Sequence, residues 1–141
     1  MSKVYLSLGS NQGDLYENLA YARRLLMDRD LHILAASSEI ITPAWGKESQ
    51  DDFLNQVLKV EFTDTFHGER EPYVLLDICQ QVEREMDKVM PGDDSYVKWG
   101  PRIIDIDILM FDDVESWDPE LRLPHHTVEK EYIKSLIDEV S

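Results

Sequence analysis

Residues 103–110, with the sequence IIDIDILM, carry the alternation that decides the fold. Alternate side chains of a β-strand share one face, so the isoleucines at even-numbered positions are expected to point into a core. Asp105 and Asp107 then project together from the opposite face. Two carboxylates at this spacing repel each other and favour a cation, a basic side chain or open water beside them. Taken alone, the alternation favours an ordinary strand with one side in solvent.

The residues just before this strand, KWGPR at 98–102, add a guanidinium to the carboxylate pair. Arg102 follows a Gly-Pro turn and offers a planar fork of donors that suits phosphate oxygens. An anion-binding group next to paired carboxylates is typical of a phosphate site that also uses a hard divalent cation. Mg²⁺ is the natural choice for such oxygen ligands.

The rest of the chain supplies three further strands, two long helices and a short terminal helix. Strands are predicted over 3–8, 32–42, 53–62 and 103–110, and helices over 14–28, 72–88 and 127–138. On the third strand, Phe53, Asn55 and Val57 share the face away from the core. The order strand, helix, strand, strand, helix, strand predicts an α+β, ferredoxin-like βαββαβ fold, an antiparallel sheet with helices packed on it. At 141 residues, a single domain over 1–141 is expected.

Charge and composition exclude several classes of partner. The chain carries 29 acidic and 14 basic residues, a formal charge of −15, so a nucleic acid would be repelled. The chain contains no run of about 18 apolar residues, the length that predicts a membrane span. Its first residues, MSKVYLSLGSNQGD, lack the pattern of a signal peptide. We therefore expect a cytoplasmic protein without a membrane partner. The lone cysteine, Cys79, stands among apolar neighbours, which predicts a buried and unreactive thiol.

The run WGPRIIDIDILMF, residues 99–111, closely resembles the signature of the 6-hydroxymethyl-7,8-dihydropterin pyrophosphokinase family. The resemblance covers residues 3–133. It implies an ATP-dependent diphosphotransferase of folate biosynthesis that moves the terminal pyrophosphate of ATP to the pterin hydroxymethyl group and releases AMP. Further elements occur in the family's order: YLSLGSNQGDLYENL at 5–19, TPAWG at 42–46, DFLNQV at 52–57, the helix carrying Glu83, and LPHH at 123–126.

The resemblance also implies roles for individual residues. Asp105 and Asp107 match ligands of two Mg²⁺ ions that accompany ATP. Residues matching the catalytic group are Arg102, Lys88, Asp105 and Asp107. Residues matching the pterin pocket are Thr42, Pro43, Trp45, Phe53, Asn55 and Trp99. Residues matching the ATP site are Glu83, Lys98, Trp99, Arg102, His125 and His126. Read from the residues alone, the two adjacent histidines are expected to point apart, as on an extended chain, which weakens a metal role for the pair.

The sequence departs from the family's pattern at several basic positions. The family usually has arginines at the positions of Lys88 and Lys98. A lysine keeps the positive charge but lacks the planar group that binds two oxygens at once. After the histidines, the expected base falls at Glu131 and the expected aromatic near Tyr132 or Ile133. These departures leave open an alternative, a diverged paralogue that binds pterin or nucleotide with weak or no turnover.

The partners that these predictions imply are ATP and 6-hydroxymethyl-7,8-dihydropterin. A chain of this kind is expected to be a monomer or a weak homodimer. The assay that separates an active enzyme from a diverged paralogue is AMP formation that depends on both the pterin and Mg²⁺.

Overall fold

The computed structural model describes residues 2–43, 52–62, 71–89 and 103–141. In chain order the elements are β1 (Ser2–Ser10), α1 (Leu15–Met27), β2 (His32–Ala36), β3 (Ile40–Thr42), β4 (Phe53–Phe62), α2 (Glu71–Val89), β5 (Asp105–Phe111), β6 (Ser116–Asp118), β7 (Leu121–Leu123), a 3₁₀ turn (His126–Glu129) and α3 (Glu131–Val140). The regular periodicity of residues 53–62 predicted β4 with its observed bounds.

The main sheet is antiparallel, with the strand order β2-β4-β1-β5, and β3 also pairs with β4. The first and last strands of the predicted core, β1 and β5, are therefore neighbours, although about a hundred residues separate them in the chain. This arrangement confirms the predicted α+β, ferredoxin-like fold. It also places Gly9 of β1 and Asp105 of β5 side by side.

The second predicted strand, 32–42, is wrong as a single element, because it is split into β2 and β3. The split lies at Ser37, whose hydroxyl oxygen accepts a hydrogen bond from the backbone N–H of Val57 at 2.8 Å. A side-chain acceptor thus satisfies a strand donor where the chain turns away from the ladder. The β-propensity of these residues does not distinguish this arrangement from a continuous strand, since the backbone N–H of Val57 is bonded in both.

The C-terminal part also differs from the prediction. The helix predicted over 127–138 is a 3₁₀ turn followed by α3, because Lys130 between them has an extended backbone, with φ −72° and ψ 136°. The hairpin of β6 and β7 was not predicted, since strands of three residues show no readable period. No helix in the described ranges is long and apolar enough to cross a bilayer.

The two faces of the sheet are covered differently. On one face, α1 and α2 bury a large apolar core that includes Leu6, Leu58 and Ile106. On the other face, α3 packs a smaller cluster around Val57 and Leu109. Because α3 is only ten residues long, it leaves room on its face of the sheet for a pocket.

The buried thiol of Cys79 gives a first testable prediction. The side chain is fully buried on α2, and burial raises the pKa of the thiol, so almost no thiolate is present at neutral pH. A water-soluble disulfide reagent is therefore expected not to react with the native protein and to titrate one thiol in denaturant, as followed by the absorbance of the released chromophore. Rapid labelling without denaturant would contradict the burial.

Candidate functional site

A cavity of about 360 Å³ opens on the sheet face that carries α3. Its floor is formed by the strands β1, β4 and β5, one wall by β3 and the residue after it, and the other wall by residues 125–133. The lining residues are Ser7, Gly9, Thr42, Pro43, Phe53, Asn55, Asp105, Asp107, His125, His126, Thr127, Lys130, Tyr132 and Ile133. The structure therefore brings the pterin residues predicted on β3 and β4 together with aspartates and histidines predicted from distant parts of the chain.

The floor of the pocket follows from the strand register. Gly9 pairs with Asn55 on one side and with Asp105 on the other, so a row across three strands reads amide, glycine, carboxylate. A Cβ placed on Gly9 would lie 3.4 Å from Oδ1 of Asn55 and 3.6 Å from Cδ1 of Phe53. The missing side chain keeps the space between the amide and the carboxylate open.

The side chain of Asn55 is held in place by two hydrogen bonds. Its Nδ2 donates to Oγ1 of Thr42 at 2.5 Å and to the carbonyl oxygen of Phe53 at 3.2 Å. An amide group carries two donor hydrogens and a carbonyl acceptor, so these bonds orient Oδ1 as the group that can accept from a ligand. The residue expected to recognise the pterin edge is thus preorganised by its neighbours on β3 and β4.

Asp105 and Asp107 project from one face of β5 into the pocket, as the alternation predicted. Asp107 pairs with Ser7 across the strands, and 47% of its side chain is exposed. Between the two aspartates, the backbone N–H of Ile106 donates to Oε2 of Glu83 at 3.0 Å. Glu83 therefore holds the strand segment that carries both carboxylates, and its predicted contact with ATP stays a prediction.

A β-bulge positions His125. Leu6 pairs with Ile108 and Tyr5 with Met110, so Leu109 is an extra residue in β5. The carbonyl oxygen of Leu109 accepts from the backbone N–H of His125 at 2.9 Å. This bond ties the segment that follows β7 to the edge of the sheet, beside Asp107.

The imidazole of His125 faces the carboxylate pair. Its Nε2 lies 3.9 Å from Oδ1 of Asp107, and its Nδ1 lies 2.8 Å from Oγ1 of Thr127. Burial lowers the pKa of His125, and the Asp107 carboxylate opposes this with a smaller upward effect. The expectation that His125 and His126 point apart is wrong, because the 3₁₀ turn begins at His126 and stacks the two rings with centroids 4.4 Å apart.

The start of α3 supplies the second wall. Lys130, Tyr132 and Ile133 line the pocket, whereas Glu131 is exposed and does not. Lys130 is a functional candidate that the sequence analysis missed, since the family's spacing directed attention to the next residue. The sequence did offer a clue, because Lys130 lies one residue before position 131, where the base was expected. Tyr132 brings an aromatic ring to this wall, and burial, with a smaller contribution from Asp107, raises the pKa of its phenol.

Several predicted residues cannot be placed in this site. Trp45, Lys98, Trp99 and Arg102 lie outside the described residues, and so does the side chain of Lys88 at the end of α2. Within the described ranges, no three His, Cys, Asp or Glu side chains form a group that could hold a metal ion. The oxygen donors available there for a cation are the paired carboxylates of Asp105 and Asp107.

Comparison with known proteins indicates the family to which the chain belongs. Residues 5–139 match the model of the family described as 7,8-dihydro-6-hydroxymethylpterin-pyrophosphokinase. The chain is 36% identical over 129 residues to a protein of Methylorubrum extorquens, covering 91% of this chain and 75% of that one. It is 34% identical over 145 residues to one of Porphyromonas gingivalis, covering 100% and 92%, and 38% identical over 130 residues to one of Aquifex aeolicus, covering 92% and 74%. All three are named 2-amino-4-hydroxy-6-hydroxymethyldihydropteridine pyrophosphokinase.

Proposed function

The chain belongs to the 7,8-dihydro-6-hydroxymethylpterin-pyrophosphokinase family, and we propose that it transfers pyrophosphate from ATP to 6-hydroxymethyl-7,8-dihydropterin in folate biosynthesis. The observation that carries this proposal is the row Asn55, Gly9, Asp105 across the pocket floor. It sets a group that recognises a heterocycle next to a group that handles phosphate, with an open space between them.

The pterin end of the pocket combines an amide with aromatic surface. Oδ1 of Asn55 accepts from the donor edge of the pterin, and Thr42 and Pro43 close the adjoining wall. Phe53 on β4 and Tyr132 on α3 offer rings from two separate elements, which suits a flat heterocycle. This arrangement orients the pterin so that its hydroxymethyl group extends over Gly9 toward the carboxylates.

Asp105 and Asp107 fit the role of ligands for the two Mg²⁺ ions that accompany ATP. They supply hard oxygen donors on one face, and Mg²⁺ commonly takes few protein ligands because phosphate oxygens and waters fill its other positions. When bound, the ions offset the negative charge of the phosphates around the reacting phosphorus.

The chemistry needs positioning more than covalent catalysis. The pterin hydroxyl oxygen attacks the β-phosphorus in line, an O–P bond forms, and the bond from that phosphorus to the oxygen of the α-phosphate breaks to release AMP. The hydroxyl proton passes to solvent water. The residues of the chain hold the two substrates in the orientation that this in-line attack requires. Asn55 and the aromatic rings fix the pterin, while Glu83 fixes the strand that carries the aspartates.

Lys130 offers the pocket a permanent positive charge, which matters in a chain of net charge −15. Lys130→Ala is expected to weaken Mg-ATP binding by about tenfold at low salt, about 1.4 kcal/mol, and by less at high salt because the interaction is screened. Calorimetric titration at two ionic strengths measures both. Lys134→Ala removes the same charge from an exposed position outside the lining and serves as the control. Equal effects of the two variants would contradict a local role of Lys130.

Asn55→Ala is expected to weaken pterin binding and to leave ATP binding almost unchanged. Removing the amide leaves the donor edge of the pterin unpaired in the pocket, which costs about 1–3 kcal/mol. Separate calorimetric titrations with the pterin and with an ATP analogue distinguish the two sites. Equal weakening of both ligands would show instead that Asn55 acts through the fold, by way of its bond to Thr42.

The direct test of the function is formation of AMP from ATP by the purified protein. We expect it to require both 6-hydroxymethyl-7,8-dihydropterin and Mg²⁺, with one pyrophosphorylated pterin formed for each AMP. Tight binding of pterin or ATP without turnover would favour a diverged paralogue. AMP formation without the pterin would show hydrolysis rather than transfer.

We also propose that the protein acts in the cytoplasm, where both substrates of the proposed reaction are soluble metabolites. A monomer or weak homodimer stays the prediction for its oligomeric state. Sedimentation velocity over a range of protein concentrations tests it.

A further inference from the structure

The C-terminal end of α3 is bonded to the turn between β2 and β3. The backbone N–H and the hydroxyl of Ser38 both donate to Oε1 of Glu139, at 2.8 Å and 2.6 Å. Ser38 lies two residues before β3, which carries Thr42 of one pocket wall, and Glu139 lies in the last turn of the helix that carries the other wall. The bond thus joins the two walls at a point away from the cavity.

The turn itself, residues 37–39, is fixed from the opposite side of the sheet. Nε2 of Gln56 donates to the carbonyl oxygen of Ser37 at 2.9 Å, and Arg23 of α1 donates to Oε1 of Gln56 at 2.7 Å. Gln56 is only 4% exposed. The turn is therefore held in place by β4 and α1, independently of its bonds to Glu139.

The start of α3 is held through the 3₁₀ turn before it, whereas the rest of the helix is held mainly by apolar contacts. Ile133, Leu136 and Val140 pack against Val57 and Leu109, and apolar contacts are not directional. At the N-terminal end no side chain caps the helix, and its connection to the sheet runs through the bond from the His125 N–H to the carbonyl oxygen of Leu109. The paired hydrogen bonds to Glu139 are directional, and a helix rises about 1.5 Å per residue as a rigid rod. A shift of the last turn therefore moves the first turn as well.

We propose that Glu139 is a positioning residue for the pterin pocket: by bonding the last turn of α3 to Ser38, it sets where Tyr132 and Lys130 stand opposite Phe53 and Thr42. This inference rests on the proposed function, because it names what aligns the walls of that same site. Glu139 touches no substrate. Its bonds are solvent-exposed, so its removal costs the fold little.

The test compares three variants of the full chain. Glu139→Ala removes the acceptor, and Glu139→Gln keeps an oxygen acceptor at the same reach. Asp138→Ala removes a carboxylate from the neighbouring exposed position, which has no bond to Ser38. We expect Glu139→Ala to raise the pterin KM about fivefold to tenfold with kcat and Tm nearly unchanged, whereas the other two stay close to the parent. Parallel changes in KM, kcat and Tm would instead indicate a structural role and overturn the proposal.

A second readout separates this inference from the proposed function. Amide hydrogen exchange of Ser38 and of Lys134, whose N–H makes the first intrahelical bond of α3, is expected to accelerate in Glu139→Ala and to stay unchanged in Asp138→Ala. This measurement needs no turnover, so it holds even for a parent protein that makes no AMP. Unchanged exchange at Lys134 would overturn the positioning role, and absent AMP formation with accelerated exchange would overturn only the function.

Discussion

Asp107→Asn is expected to reduce turnover by more than about a hundredfold, or about 2.7 kcal/mol of barrier. The carboxylate projects into the pocket beside Asp105, and an amide in its place supplies one negative charge fewer for a divalent cation. Unfolding is expected to be almost unaffected, because the side chain is about half exposed and its removal relieves repulsion within the pair. Steady-state AMP formation and thermal unfolding without nucleotide measure the two effects.

Asp113→Asn provides the matched control for this substitution. It removes the same charge from an exposed residue shortly after β5 that does not line the pocket. Raising the Mg²⁺ concentration should restore part of the activity of Asp107→Asn and leave the control unchanged. Full activity of Asp107→Asn at ordinary Mg²⁺ would mean that Asp107 does not hold the cation.

Gly9→Val is expected to reduce pterin binding more than tenfold while the protein stays folded. The Cβ itself fits at ordinary contact distances, 3.4 Å from Asn55 and 3.6 Å from Phe53, but the two methyl groups beyond it occupy the floor between Asn55 and Asp105. Because valine is favoured in β-strands, a loss of pterin binding would not result from a weakened strand. Calorimetric titration with the pterin and thermal unfolding measure binding and stability separately.

Gly9→Ala gives the graded comparison. Its Cβ meets no atom closer than 3.4 Å, so pterin binding is expected to fall between those of the parent and Gly9→Val. The unfolding temperature should rise slightly, since replacing glycine in a strand reduces the conformational freedom of the unfolded chain. If Gly9→Val bound the pterin as tightly as the parent does, the pterin would not lie over this part of the floor.

Much of the fold and part of the site followed from local patterns. The period of two over 53–62 predicted β4 and the shared face of Phe53 and Asn55. The same period over 103–110 predicted that Asp105 and Asp107 project together. These predictions hold because the side-chain direction in a strand depends on the neighbouring backbone units alone.

Other features of the site were not predictable in this way. The split between β2 and β3 depends on Ser37 replacing a backbone partner of Val57, 20 residues away in the chain. The bulge at Leu109, which positions His125, exists only in the pairing of β5 with β1. A pattern within one strand carries no information about the register of its partner.

The sequence by itself determined the alternating strands, the amphipathic helices, the acidic charge and a motif specific enough to indicate the family. Only the tertiary structure decided that Lys130 rather than Glu131 lines the pocket, that Glu83 holds the strand between the aspartates, and that Glu139 bonds to Ser38. The physical reason is the range of the interactions involved. Periodicity, capping and charge act between neighbours along the chain, whereas the pocket forms where strand register, a bulge and a docked helix bring distant residues together.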